Sequence, residues 1–85
     1  MIIKYEDRKQ WIKNYVLDED ITFNHEDNFI LEFAHVINCS VGTARNLARK
    51  ILNELEEECF ILVGHISMEG VNGAWRDYNL YYTQK

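Results

Sequence analysis

Arg45, Asn46 and Arg49 are the side chains in this sequence best suited to reading a flat polar edge. An arginine fork donates two parallel hydrogen bonds to the major-groove edge of guanine, and an asparagine amide both donates to and accepts from adenine. Ser40 and Thr43 come just before them and Lys50 just after, residue types that touch phosphate or bases with less discrimination. Every formal charge between Phe33 and Asn53 is positive, in a chain of nine Lys and Arg against fourteen Asp and Glu, with a net charge of −5. A local cationic face on an acidic protein is the strongest functional signal in the chain.

Other chemistries find less support. His35 and Cys39 are four apart, close enough on one helix to share an ion, but Cys59 and His65 lack a tight pair spacing, so no zinc site is expected. There is no phosphate-cradling glycine loop, no nucleophile elbow and no His-Glu metal motif, and the acids show no catalytic spacing. Neither an enzyme nor a cofactor-dependent protein is expected. Cys39 and Cys59 are too few for a disulfide framework and read as reduced thiols of an intracellular protein. No apolar run reaches the length of a membrane span and no signal peptide is evident, so no membrane partner is expected. The acids are partitioned: Asp18 to Glu32 holds six without a Lys or Arg, and Glu54 to Glu58 holds four more.

Presenting Arg45, Asn46 and Arg49 together requires a helix. Val41, Ala44, Leu47, Ala48, Ile51, Leu52 and Leu55 recur at three- and four-residue spacing, which predicts a helix over 41–57 with one apolar stripe. Thr43, Arg45, Asn46, Arg49, Lys50 and Asn53 fall outside that stripe. Phe29, Ile30, Phe33, Ala34 and Ile37 predict a preceding helix over 25–37, begun at His25, with Asn24 as its N-cap and Asp27 close to a capping box. Residues 5–17 predict a first helix that turns Trp11, Ile12, Tyr15 and Val16 inward. Ile21-Thr22-Phe23 predicts one short strand. Residues 59–68 and 74–83 predict a hairpin turned at Asn72-Gly73, with Tyr78, Leu80 and Tyr82 on one face and Trp75 and Tyr81 on the other. The core is expected to include Trp11, Phe33, Ile37, Leu47, Ile51 and Leu80. Trp75 and Tyr81 suit either a partner surface or cross-strand packing.

The stretch from Phe33 to Leu52 resembles the helix-turn-helix of DNA-binding proteins. Ala34 stands where that family has a small residue midway along its first helix. Asn38 replaces its turn glycine, as one of the few residues that tolerate a left-handed backbone. Ile37 and Cys39 match the apolar residues around the turn, and Ala44 and Leu47 those facing the core from the second helix. Ser40 falls at the N-cap, its hydroxyl placed to accept from the amide of Thr43. With its flanks, the order α–β–α–α–β–β resembles a winged helix, a mainly α domain with a small β-hairpin. One departure is Cys59, where the family often has glycine after an acidic run; cysteine adopts the left-handed C-cap less readily.

The resemblance implies a single winged-helix domain over 1–85, with the helix-turn-helix at about 25–57 and the wing at about 59–83. It implies sequence-specific binding of double-stranded DNA and a role in transcription regulation, with the third helix in the major groove. Carried across, the residues entering the groove are Ser40, Val41, Gly42, Thr43, Arg45, Asn46 and Arg49; the DNA-binding set is expected to comprise Ser40, Thr43, Arg45, Asn46, Arg49 and Lys50, with Arg76 on the wing, where Glu69 and Asp77 equip it poorly. One small module makes few phosphate contacts, so a homodimer formed through the first helix and the chain ends is expected. Free-standing modules of this size resemble those encoded by viruses and plasmids. The competing reading is a winged-helix protein-interaction module, or an acidic viral-type inhibitor, whose negative surface meets a basic protein partner.

Overall fold

The apolar stripe at 41–57 forms a helix over the expected span in a computed structural model, which describes residues 1–24, 27–70 and 72–84. Three helices, α1 (Tyr5–Asp18), α2 (Phe29–Ile37) and α3 (Val41–Glu57), precede two antiparallel strands, β1 (Leu62–Glu69) and β2 (Trp75–Tyr82). The architecture is mainly helical with a C-terminal hairpin. Ala44, Ala48, Ile51, Leu52 and Leu55 of α3 are buried against Phe29, Ile30, Phe33, Ala34 and Ile37 of α2. Ile12 and Val16 close the core from α1, and Ile21, Ile61 and Tyr81 from the hairpin side. Each buried Leu, Ile or Phe side chain contributes about 1.5–3 kcal/mol by leaving water. A helix as short as α2 depends on that packing, since isolated helices of its length are not stable in water.

Several expectations need correction. The second helix starts at Phe29, not near residue 25, and Asn24 does not cap it; His25 lies outside the described residues. The Asp27 carboxylate that suggested a capping box instead accepts from the Thr22 amide at 3.1 Å and the Thr22 hydroxyl at 2.8 Å. Those bonds divert the β-prone segment from the sheet. Only Ile21 joins it, exchanging both backbone hydrogen bonds with Tyr81 at 2.8 and 2.9 Å. That bridge sits at the hairpin base, where Tyr81 is the one β2 residue of its face that is buried; Tyr78, Leu80 and Tyr82 on the other face are half-buried. Tyr81 is buried and packs 5.8 Å from the Phe23 ring, so it is neither an exposed partner residue nor cross-strand cover. Leu80, expected in the core, is half-buried and outside it. Trp11 and Leu47 are half-buried residues packed against the core rather than within it. Trp75, on the same face as Tyr81, is exposed.

Both α2 and α3 end on a left-handed residue that is not glycine. After α2, Asn38 has φ 55°, and the amides of Asn38 and Cys39 donate to His35 and Ala34 carbonyls at 3.2 and 3.1 Å. After α3, Cys59 has φ 61°, and the amides of Cys59 and Phe60 donate to Glu56 and Leu55 at 3.0 and 2.9 Å. This is the Schellman pattern, completed in α3 by Leu55 and Phe60, both part of the apolar core and its lining. The departure at Cys59 is therefore one of residue type and not of geometry. At the hairpin tip Gly73, with φ 81°, supplies the left-handed turn residue. Because a β-carbon destabilises that conformation by about 1–2 kcal/mol, Cys59→Gly should raise unfolding free energy by about 1 kcal/mol, with an unchanged urea m-value. Asn38→Gly should raise it less, since asparagine already tolerates the left-handed region.

Candidate nucleic-acid interface

The turn at Asn38 aims the start of α3 outward. Ser40 is extended, and its hydroxyl accepts from the Thr43 amide at 3.2 Å while donating to the Thr43 hydroxyl at 3.0 Å. Ser40, Val41, Gly42 and Thr43 are all exposed, and the first turn of α3 carries no acid. The positive end of the helix dipole is thus left uncompensated at the surface, a setting that favours an anion.

Further along α3, Asn46, Arg49 and Lys50 are exposed and Arg45 is half-buried. They do not form one cluster. Arg45 and Arg49, four apart, lie on one flank of the outer face. The Arg49 guanidinium sits 5.3 Å from the centre of the Phe23 ring, where it lines a small cleft with Asp77, Asn79 and Tyr81. Lys50 leans the other way, its ammonium 5.4 Å from the Tyr5 ring of α1. Asn46 lies between the two. Arg76 is separate from α3: it is exposed in β2 opposite Met68. Asp77, next to Arg76, takes a hydrogen bond from the Ser67 hydroxyl at 2.5 Å.

The acidic end of α3 is tied down by α1. Lys9 pairs with Glu58 and reaches Glu54 at 3.8 Å, and the Tyr5 hydroxyl donates to Glu54. The hydrogen bond to Glu58 raises the Lys9 pKa, and the same bond lowers that of Glu58. Burial, and then the bond to Glu54, push the Tyr5 phenol up to about 12. Tyr5 and Lys9 were missed from sequence, although a signal existed. Both pairs, Tyr5 with Lys9 and Glu54 with Glu58, are four apart, so each is one row on its helix. Glu56 and Glu57 stay exposed.

Among the described residues, no group of three or more His, Cys, Asp or Glu is arranged to hold a metal ion, and no helix is long and apolar enough to cross a membrane. Cys39 is half-buried at the turn, and Cys59 is exposed. Comparisons with protein-family models, curated proteins and solved structures return no match to this chain.

Burial of Tyr5, with its bond to Glu54, gives stability an alkaline limb. Its phenol holds a proton more tightly folded than unfolded, where it titrates near 10. The contribution is complete below about pH 10 and is lost as pH rises through about 12. Tyr15, raised by burial and then by Glu32 and Glu19, adds to the same loss. Urea midpoints measured from about pH 9 to about pH 12 should fall, and Tyr5→Phe should reduce the fall. An unchanged pH dependence in Tyr5→Phe would show that the Tyr5 phenol is not raised in the folded chain.

Proposed function

We propose that the protein is a winged-helix module that binds double-stranded DNA through the N-terminal half of α3, acting in transcription regulation. The observation that carries the reading is the ordering of charge along α3. Exposed hydroxyls, an amide and cations occupy its first three turns, with an uncompensated dipole at the N-terminus. Its acids are confined to the last turns, where Lys9 and Tyr5 engage Glu54 and Glu58. A helix entering a major groove by its N-terminal end presents the first set to bases and phosphates and keeps the second away. In this reading Arg45, Asn46 and Arg49 contact base edges, Ser40, Thr43 and Lys50 contact phosphates, and Arg76 reaches the backbone from the wing.

The test is selection from random duplexes followed by anisotropy titration at several salt concentrations. Arg45→Ala should weaken the selected site by about 1–3 kcal/mol and relax preference at one base pair. Lys50→Ala should weaken all sequences alike and flatten the log K against log salt slope by about one unit. The double change Glu56→Gln, Glu57→Gln should modestly strengthen nonspecific binding without altering preference; Glu58 is left intact because Lys9 depends on it. If Arg45→Ala and Arg49→Ala both leave affinity at low salt unchanged, α3 is not a DNA-reading helix.

One module of this size makes few phosphate contacts, so the reading includes a homodimer on paired half-sites. Met1, Ile3 and Leu17, all exposed, provide apolar surface for such a contact. Light scattering on the complex with the selected duplex should give two chains per site. A single chain at saturation would remove the dimer and the palindromic site it requires.

A further inference from the structure

α1 and α2 meet through rings. Trp11 stacks on Phe33 and Phe29 at centroid distances of 5.5 and 6.2 Å, and Tyr15 tilts against Phe29 at 5.0 Å. Side chains of this size hold the two helices apart, and a groove of about 780 Å³ opens between them. Trp11, Tyr15 and Val36, all half-buried, form its apolar floor. Leu31 adds to it from the outer side of α2, and that leucine is 55% exposed. It stands apart from the inward stripe of Phe29, Ile30, Phe33, Ala34 and Ile37, so the fold itself does not account for it.

The rim of the groove is acidic. Asp18 and Glu32 line it, and a second recess of about 440 Å³, sharing Tyr15, Asn28 and Glu32, adds Glu19 and Asp27. Among the described residues no Lys or Arg lines either recess, and His35 is the basic side chain on the groove, beside two carboxylates. The crowding of carboxylates is felt by Tyr15, whose phenol is raised by burial and then by Glu32 and Glu19.

We propose that the groove between α1 and α2 is the docking site for a cationic amphipathic helix of a protein partner. A third helix laid between two others buries one apolar row in the space between them. Here that row would cover Trp11, Tyr15, Leu31 and Val36, while flanking Lys or Arg meet Asp18, Glu19 and Glu32. The charge selects among occupants. Nucleic acid and anionic lipid are repelled by the rim, and a second copy meeting it groove to groove would set Asp18 and Glu32 against their own counterparts. The groove uses none of the α3 side chains assigned to DNA, so the two proposals succeed or fail separately.

The experiment is a displayed library of helix-forming peptides, apolar at i, i+3, i+4 and i+7, with the remaining positions randomised among Lys, Glu, Gln and Ala. Selection on the intact protein should enrich peptides of net positive charge. Their binding is read by Trp11 fluorescence in a Trp75→Phe background, which leaves Trp11 as the single tryptophan. Leu31→Gln, a change at an exposed site, should weaken the selected peptides at least tenfold while leaving the urea midpoint unchanged. The double reversal Asp18→Lys, Glu32→Lys should weaken them by a similar factor and enrich Glu-rich peptides instead. Enrichment without charge preference, or binders indifferent to Leu31→Gln, would overturn the proposal. Self-association of the wild-type chain that Leu31→Gln abolishes would also overturn it, by making a second copy the occupant.

Discussion

The structure depends on where Phe29 is held. Its ring is fully buried and touches four others: Trp11 at 6.2 Å, Tyr15 at 5.0 Å, Phe23 at 6.2 Å and Phe33 at 6.1 Å. Through them a single residue connects α1, the 21–24 segment and α2, and Phe23 passes the contact to Tyr81 of the hairpin. Aromatic pairs in such arrangements contribute about 0.5–1.5 kcal/mol each beyond the area they bury. For a chain this small, with a short α2 and a hairpin anchored mainly at its base, that convergence supplies order that no single element has alone. Asp27 reinforces it, its carboxylate joining the Thr22 amide and hydroxyl on one side to the Phe29 amide at 3.4 Å on the other.

α3 hangs on this frame with its charges sorted by position. Its cations do not neutralise its acids; they are drawn to aromatic faces instead. Arg49 lies against Phe23 and Lys50 against Tyr5, contacts worth about 0.5–1 kcal/mol at exposed sites. The acids of the last turns take their partners from α1, through Lys9 and Tyr5. These surface pairs add little stability each. Their effect is on arrangement: the anionic end of α3 faces α1, and the outer face of its first turns stays cationic. The same packing limits the cationic side, because Arg49 shares a cleft with Asp77 and Lys50 leans away from Arg45.

What could be read in advance was whatever is decided locally. The span of α3, the Ser40 cap, the left-handed Asn38 and the Asn72-Gly73 turn all follow from residue type and short spacing, and all have structural counterparts. The misreadings occur where a distant group takes over a local one. Asn24 and Asp27 look like a capping pair until Thr22 claims the carboxylate. Alternation in β2 shows that Tyr78, Leu80 and Tyr82 share a face, but only the Ile21 bridge reveals that Tyr81 is buried from the other face at the hairpin base. Cys59 has little intrinsic preference for its left-handed backbone; the turn there is closed by the Cys59 and Phe60 amides donating to Glu56 and Leu55. The candidate residues of α3 were legible as positions outside the core because the stripe defines its own complement. Their division between Phe23 and Tyr5 was not, since both rings come from elsewhere in the chain.

A net charge of −5 is a poor guide to what such a protein binds. Charges in water are screened within roughly 8 Å at physiological salt, whereas this molecule extends over 40 × 29 × 19 Å. A ligand therefore meets the local field of the surface it touches. Asp18, Glu19, Asp27 and Glu32 gather around Tyr15, while Arg45, Asn46 and Arg49 lie on α3, and both ion pairs recorded among the described residues belong to Lys9 rather than joining these two regions. Had the acids of α3 been spread along it, each cation would carry a nearby counter-charge and the α3 face would have no sign. Segregation lets a chain that is acidic overall offer a cationic face and an anionic groove at once. An anionic ligand on one therefore need not exclude a cationic ligand on the other.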